Sequence, residues 1–539
     1  MKERVLNYLK RPFKDYFSLL LCFFLLSTSA ELYLCIQEMD AKAFLFSVAH
    51  GFVFSYLLVL IGSLFSSKIR LVFNILFLFL LTVSCYIDWV CLIEFHSVFD
   101  ADFVSAMLGT DPSEVSEFVG IHLKGILIGL LALVLIALIY FLCSKFLPRI
   151  GNVLSAILLA MLVPMILIFP LFPKAAHRIF TVKSFEGKFV SFITYVKTIP
   201  PRIPEEFAES TIQFDTDSLP ANICIIFGES HCKQHCFFHG YAKNTMPKSQ
   251  ILIEKDSLLV YANVTSSETT TIDSFRAMLS TYRPAYGDSV HFWECPSIFH
   301  VLRAAGYTES WLSNQSQRGL YDNLIGNYAA LCDTTVFLGD KFAGMRRNNK
   351  DGELVPILQD LVNQGEGRNL YCLHLMGSHA EFGERYPESF SVFGEEDYPD
   401  YPSEQRRILA DYDNSLLYTD YVINEVIDLF KDDEAVVFYI PDHGLDLFHT
   451  RPDYYLHALV ANPESVSYAI QIPFLVYATD KYRARFPDIV ARMENTLDNR
   501  FQTEDLIYTV MDVAHISFTD NDDVREYSLF SEQSSPANL

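Results

Sequence analysis

The chain lacks any excess of positive charge: 41 Lys and Arg stand against 65 Asp and Glu, a net charge of −24 over 539 residues. That excludes nucleic acid as a partner, because a phosphate backbone calls for a basic surface. The eleven cysteines include no CxxC pair and no zinc-finger spacing, which removes the small structural zinc modules. Internal repeats and low-complexity tracts are missing as well, which argues against solenoids and disordered arrays.

Apolar residues are abundant at 51% and unevenly spread. The length calls for two or more domains. Residues 1–172 hold five apolar stretches, 17–36, 43–66, 71–93, 123–143 and 153–172. Each suits a bilayer core of about 30 Å, which takes about 20 helical residues. Lys2, Arg4, Lys10, Arg11 and Lys14 precede the first stretch, Lys68 and Arg70 follow the second, and Lys145 and Arg149 follow the fourth. All fall on one face of the membrane, whereas the opposite loop, 96–120, carries Asp100, Asp102, Asp111, Glu114 and Glu117. The N-terminus is therefore expected in the cytoplasm and everything after about residue 173 outside it. The first stretch also has features of a signal peptide, with Ser27-Thr28-Ser29-Ala30 after its core, but its apolar run exceeds a usual h-region. Residues 173–219 form a linker whose part from Ala175 to Pro204 is basic and amphipathic, suited equally to a membrane interface or to a solvated helix, and Pro200-Pro201 and Pro204 open the way to a globular domain, 220–539.

Cys22, Cys35, Cys85, Cys91 and Cys143 fall in apolar stretches and read as packing residues. Cys224, Cys232, Cys236, Cys295, Cys332 and Cys372 leave room for one or two disulfides of unassigned pairing. Beyond residue 220, strands are expected at 222–227, 258–264, 369–375, 435–440 and 473–478. Helices are expected at 297–305, 353–363, 404–430 and 503–515. This alternation argues for an α/β domain with a mostly parallel central sheet covered on both faces.

Three strands end in chemistry. The run Asn222–Phe227 leads into Gly228-Glu229-Ser230, and Ala435–Pro441 leads into Asp442-His443. Leu370–Leu375 leads into Met376-Gly377-Ser378-His379, and His457 follows downstream. Ligands collect beyond the carboxyl ends of strands in such sheets, and carboxylates with imidazole suit zinc. The hydroxyl-rich run Ser266–Thr271 leads into a helical stretch. A hydroxyl at a helix N-terminus sits where backbone N–H groups favour phosphate, and zinc coordination would ease loss of its proton. Taken alone, the run reads as an ordinary N-cap.

Together these blocks resemble the phosphoethanolamine transferases of Gram-negative envelopes, in the alkaline phosphatase and sulfatase superfamily. Gly228-Glu229-Ser230, Gly240-Tyr241 and Asn244-Thr245-Met246-Pro247 match the GES…GY…NTxP block. Asn263–Thr271 matches the nucleophile block, His374–His379 the HxMGSH segment with Arg385-Tyr386-Pro387 following, Tyr412–Leu416 a helix, and Asp442-His443-Gly444 the DHG. The resemblance implies a nucleophile at Thr271 and zinc (Zn2+) held by Glu229, Thr271, Asp442 and His443. It implies that His379 and His457 contact the transferred phosphate or move protons. Trp311–Gln315 is similar to the WxSNQ segment of the core-sugar-modifying branch, with Arg318 in the place of a phosphate-binding lysine. Thr110 and Glu114 match substrate-binding positions. The implied donor is phosphatidylethanolamine, and the implied acceptor is lipid A, the lipopolysaccharide core or another periplasmic glycan. The implied setting is a monomeric, multi-pass protein of the inner membrane with its site in the periplasm.

Some positions depart from the pattern. Ser267 and Ala277 replace a frequent cysteine pair, Ala106 replaces a usual Asn, and Leu445 follows DHG where an acidic residue is usual, with Asp446 one place later. A sulfatase using formylglycine would need C/S-x-P-x-R, which is absent, and Cys295-Pro296-Ser297 has the wrong spacing. A phosphoglycerol transferase would share the fold and the threonine but differ in its usual blocks. A silent lipid sensor would have lost metal ligands, and all four are present.

Overall fold

The structure is a computed structural model that describes residues 2–37, 41–95, 119, 122–146, 151–171, 212–285, 290–315, 324–338, 349–457, 462–519 and 523–532. The chain falls into two compact units, Met1–Thr110 with Glu114–Ile199, and Asp111–Ser113 with Pro200–Leu539.

The first unit is helical. After α1 (Lys2–Lys14) come α2 (Phe17–Gln37), α3 (Ala41–Leu64), α4 (Ser67–Phe95), α5 (Leu123–Phe146) and α6 (Asn152–Leu171). Among the described residues, four of these, α2 to α5, are long and apolar enough to cross a membrane. Five were expected. The fifth expected stretch, 153–172, coincides with α6 (Asn152–Leu171), which is not among those four. Polar contacts join helices of this unit: Trp89 Nε1 donates to Ser29 Oγ at 3.0 Å, and Glu94 Oε1 accepts from Gly125 N in the first turn of α5 at 2.6 Å.

The second unit is built on a seven-stranded sheet. Its strands are β1 (Asn222–Gly228), β2 (Leu258–Tyr261), β3 (Tyr307–Ser313), β4 (Thr334–Phe337), β5 (Arg368–His374), β6 (Ala435–Pro441) and β7 (Phe474–Ala478). Their spatial order is β2-β7-β6-β1-β5-β3-β4. The sheet is mixed: β7 runs antiparallel to both β2 and β6, while the ladders from β6 across to β4 are parallel. The expected strand 258–264 is in fact two, because Asn263–Thr265 leaves the sheet to pair with Arg500–Gln502.

Both faces of the sheet are covered, and the central strands show why. In β1, Ile223, Ile225 and Phe227 enter one core, and Cys224 and Ile226 the other. The first core is roofed by α7 (Thr271–Met278), α8 (Ile298–Ala304) and α11 (Leu506–Val513). The second is roofed by α9 (Leu354–Gln364) and α10 (Ser403–Phe430). A strand buried on both sides reads as a continuous apolar run, since its alternate side chains both need apolar partners. All eleven cysteines are free thiols, so the disulfides left open by the sequence do not form.

Candidate metal centre

Register places the ligands. Gly228 pairs with Pro441 at the shared end of β1 and β6, so the next residues, Glu229 and Asp442, emerge side by side. Phe227 pairs with His374 at the end of β5, which brings the Met376–His379 loop against Glu229 from the other side. Leu375 N donates to Phe227 O at 3.0 Å and Ser378 N to Glu229 O at 3.0 Å. Gly377 lies with φ +49°, and a Cβ there would stand 2.8 Å from the Glu229 backbone N and O. Only glycine permits this approach.

Thr271 opens α7, with Thr270 as its N-cap residue. Its hydroxyl donates to Glu229 Oε2 at 3.1 Å and lies 3.4 Å from His443 Nε2. The helix is held by Phe275, whose ring meets Phe227 at 5.1 Å and His374 at 4.9 Å. His374 is thus a packing residue. Its Nδ1 meets Ser313 Oγ at 3.1 Å, and burial pushes its pKa down to about 3.

Glu229, Asp442 and His443 are almost wholly buried. Asp442 Oδ1 accepts from Ser230 N at 3.2 Å and His443 N at 2.7 Å, but Oδ2 finds no donor among the described residues and lies 3.5 Å from His443 Nε2. His443 Nδ1 is 2.7 Å from Gly444 O, which can only accept, so Nδ1 carries a proton and Nε2 is the nitrogen left to face the carboxylates or a metal. Glu229 Oε1 takes a hydrogen bond from Ser230 Oγ at 2.6 Å and lies 3.6 Å from His443 Nε2. Burial, reinforced by the charge of Asp442, pushes Glu229 up to about 8. Burial pushes Asp442 up to about 6.

Two carboxylates and an imidazole lone pair therefore converge in a dry site with a hydroxyl at its edge. Acceptors crowded together away from water favour a proton or a metal cation among them. The donor set of oxygen with nitrogen, and the carbonyl that fixes the imidazole tautomer, fit zinc. Glu229, His443 and His457 each offer a ligand atom within 4.8 Å of one another.

His457 is half-buried, its ring 4.8 Å from that of His443. Burial, then the neighbouring His443 and His379, hold its pKa well below the usual imidazole range. His379 is also half-buried, and its carbonyl accepts from Arg385 Nε at 3.0 Å. The structure thus brings Glu229, Thr271, Asp442, His443 and His457 to one place, with His379 close enough to affect His457. Thr110, Glu114 and Arg318 lie outside the described residues.

Three further residues shape the site. Gln315 Nε2 reaches Glu229 Oε2 at 3.5 Å and Leu375 O at 3.2 Å. Ser230 takes a left-handed φ of 56° to aim its hydroxyl at Glu229. Asp351, fully buried, accepts from Met376 N at 2.8 Å, Gly377 N at 2.9 Å and Asn314 Nδ2 at 2.8 Å. Gln315 and Ser230 lie within motifs visible in the sequence, the WxSNQ segment and the GES block, although neither was assigned a role there. Asp351 sits in a polar stretch that carries no signal.

The Sulfatase family model matches residues 221–516. Phosphoethanolamine transferase EptC of Escherichia coli (strain K12) is 27% identical over 312 residues, 57% of this chain and 53% of that protein. The Kdo(2)-lipid A phosphoethanolamine 7''-transferase of the same strain is 29% identical over 268 residues, 48% of this chain and 45% of that one. The chain spans about half the length of the curated relatives it matches. Among solved structures, the integral membrane protein lipooligosaccharide phosphoethanolamine transferase A (EptA) from Neisseria meningitidis superposes with a TM-score of 0.66 at 19% identity, over 94% of this chain and 96% of that one. The zinc complex of the C-terminal periplasmic domain of EptC from Escherichia coli superposes with a TM-score of 0.54 at 24% identity, over 60% of this chain and 90% of that one. The fold is shared along nearly the whole chain, and the chain belongs to the sulfatase family, where the relatives it resembles are phosphoethanolamine transferases.

Proposed function

We propose that the protein transfers phosphoethanolamine from phosphatidylethanolamine to lipid A, the lipopolysaccharide core or another periplasmic glycan. The reading places it as a multi-pass monomer of the inner membrane with its second unit in the periplasm. The observation that carries it is the Thr271 hydroxyl at the start of α7, 3.1 Å from Glu229 and 3.4 Å from His443. Glu229, Asp442, His443 and Thr271 would hold zinc. When bound, it supplies positive charge that favours the threonine alkoxide and the phosphoryl oxygens of the transition state.

Thr271 Oγ attacks the phosphorus of the donor as its proton passes to His457 or His379, because Glu229 and His443 would be engaged with zinc. A bond from Thr271 Oγ to phosphorus forms as the bond from phosphorus to the diacylglycerol oxygen breaks. His457 or His379 protonates that leaving oxygen. The acceptor hydroxyl or phosphate then attacks the phosphothreonine, one of the same histidines takes any proton it releases, and Thr271 Oγ departs. Helical N–H groups at the start of α7 favour the negative phosphoryl group throughout. The four apolar helices suit a lipid donor, because they confine the site to a surface search.

The test is the mass of the Thr271 peptide after the zinc-loaded, detergent-solubilised protein meets phosphatidylethanolamine without acceptor. A phosphoethanolamine adduct that disappears in Thr271→Ala supports the reading. Labelling by phosphatidylglycerol instead would make the protein a phosphoglycerol transferase, and labelling by neither would favour a lipid sensor.

A further inference from the structure

The stretch between the end of β6 and His457 is a loop that leaves the metal centre and returns to it. Asp446 N donates to Leu456 O at 2.9 Å, and Phe448 N donates to Tyr454 O at 2.8 Å, so outgoing and returning arms are laced together. At the turn, Phe448 adopts a left-handed φ of 59°. A bulky side chain persists there only where its surroundings enforce it.

The enforcing group is Asp446, which is wholly buried. Its Oδ1 accepts from His449 N and Thr450 N, each at 3.1 Å. Its Oδ2 accepts from Thr450 Oγ1 and from Ser465 Oγ, the latter at 2.5 Å. Four donors satisfy one buried carboxylate, so its burial does not leave an uncompensated charge. Ser465 belongs to the helix Pro463–Ala469, whose last residue also accepts from Gly444 N at 2.6 Å. The loop is thus tied to one helix at both Gly444 and Asp446. On its returning arm, Tyr454 OH donates to His457 O at 2.6 Å, carrying the order to the imidazole that faces Glu229 and His443.

We propose that Asp446 is a positioning residue for His457: it fixes the 446–457 loop so that this imidazole is held at the metal centre. The inference rests on the transferase reading, in which His457 serves the transferred phosphate. Asp446 itself acts only through the loop. An asparagine at 446 keeps a carbonyl for the two backbone N–H groups and can donate its amide to the two hydroxyls, whereas alanine abandons all four donors.

The test is a double-mutant cycle on the full-length, zinc-loaded protein, using Asp446→Ala, Asp446→Asn and His457→Ala, alone and combined. Transfer kinetics, zinc content, thermal midpoint and Thr271 labelling by phosphatidylethanolamine are measured on each. Asp446→Ala is expected to lower kcat about 10- to 100-fold, as loss of a group that orients a site residue does, with KM changed less than about 2-fold. Asp446→Asn should recover most of that loss. In the His457→Ala background, Asp446→Ala should cost less than about 2-fold. Should Asp446→Ala not fold, Thr450→Val and Ser465→Ala each remove one donor and enter the same cycle with the same expectation. Losses that multiply with that of His457→Ala overturn the positioning role while leaving the transferase reading intact. A wild-type protein that phosphatidylethanolamine does not label overturns that reading, and the positioning role with it.

Discussion

Two kinds of buried carboxylate stand in the second unit, and they behave differently. Asp413 is wholly buried and surrounded by donors: Tyr241 OH at 2.7 Å, Tyr398 OH at 2.5 Å and His235 Nδ1 at 2.6 Å. Asp351 is similar, with two backbone N–H groups and an amide. Glu229 and Asp442 are equally dry, yet they face each other, an imidazole lone pair and a threonine hydroxyl. The difference separates architecture from chemistry. A carboxylate whose neighbours are all donors holds loops in place, while a pair that also confronts each other and an imidazole suits a cation.

The largest break in that comparison should come from Asp442→Asn. Transfer is expected to fall by about 10³-fold or more, with zinc lost on dialysis, as measured by metal analysis and kinetics. Zinc-free Asp442→Asn should fold at least as stably as the zinc-free wild type, because one of two opposed charges is gone. Gly377→Ala comes next. It forces a Cβ to within 2.8 Å of the Glu229 backbone at φ +49°, and denaturant unfolding should show a loss of about 3 kcal/mol alongside weakened zinc binding. Asp413→Asn should do the reverse of Asp442→Asn: about 1–3 kcal/mol of stability is lost, while zinc stoichiometry remains that of the wild type.

Titration sharpens the contrast. Glu229 and Asp442, at about 8 and about 6 in the zinc-free fold, sit above the ordinary 4.5 and 3.8. The stability they lend is therefore full below their ordinary values and is lost as pH rises through about 6 and then about 8. The zinc-free thermal midpoint should drop by a few degrees between pH 5 and pH 9, a gap that zinc closes at the upper end. The smallest effect belongs to the surface. Lys248→Ala breaks an exposed pair with Glu425 at 3.1 Å and should change stability by less than about 0.5 kcal/mol in the same unfolding measurement.

The strands that meet at the site were legible in the sequence because their burial on both faces makes them unbroken apolar runs ending in polar residues. β3 was not legible. Its Tyr-Thr-Glu-Ser-Trp-Leu-Ser run looks half polar, yet Glu309 and Ser310 are buried, the first paired to Arg303 at 2.6 Å. A satisfied polar side chain looks the same in a sequence as an exposed one. The antiparallel placement of β7 was illegible too, since apolarity carries no direction. Asp351 escaped for another reason: it acts mainly on backbone N–H groups, and nothing in a residue string says which amides will need an acceptor; Asp446 was visible as the displaced acidic residue after DHG, but its partners were not.

The sheet order has a consequence for how the chain acquires its structure. β1 is the first of the seven strands to leave the ribosome, yet it lies between β5 and β6, which come much later. Its closing contact, Ser230 with Asp442, spans 212 residues. Asn-Ile-Cys-Ile-Ile-Phe therefore stays unpaired until most of the domain has been synthesised, an apolar segment with strand propensity and no charge. Such a topology makes folding slow and the nascent chain dependent on protection from self-association. The same closure makes an intact centre a marker that β6 has docked beside β1.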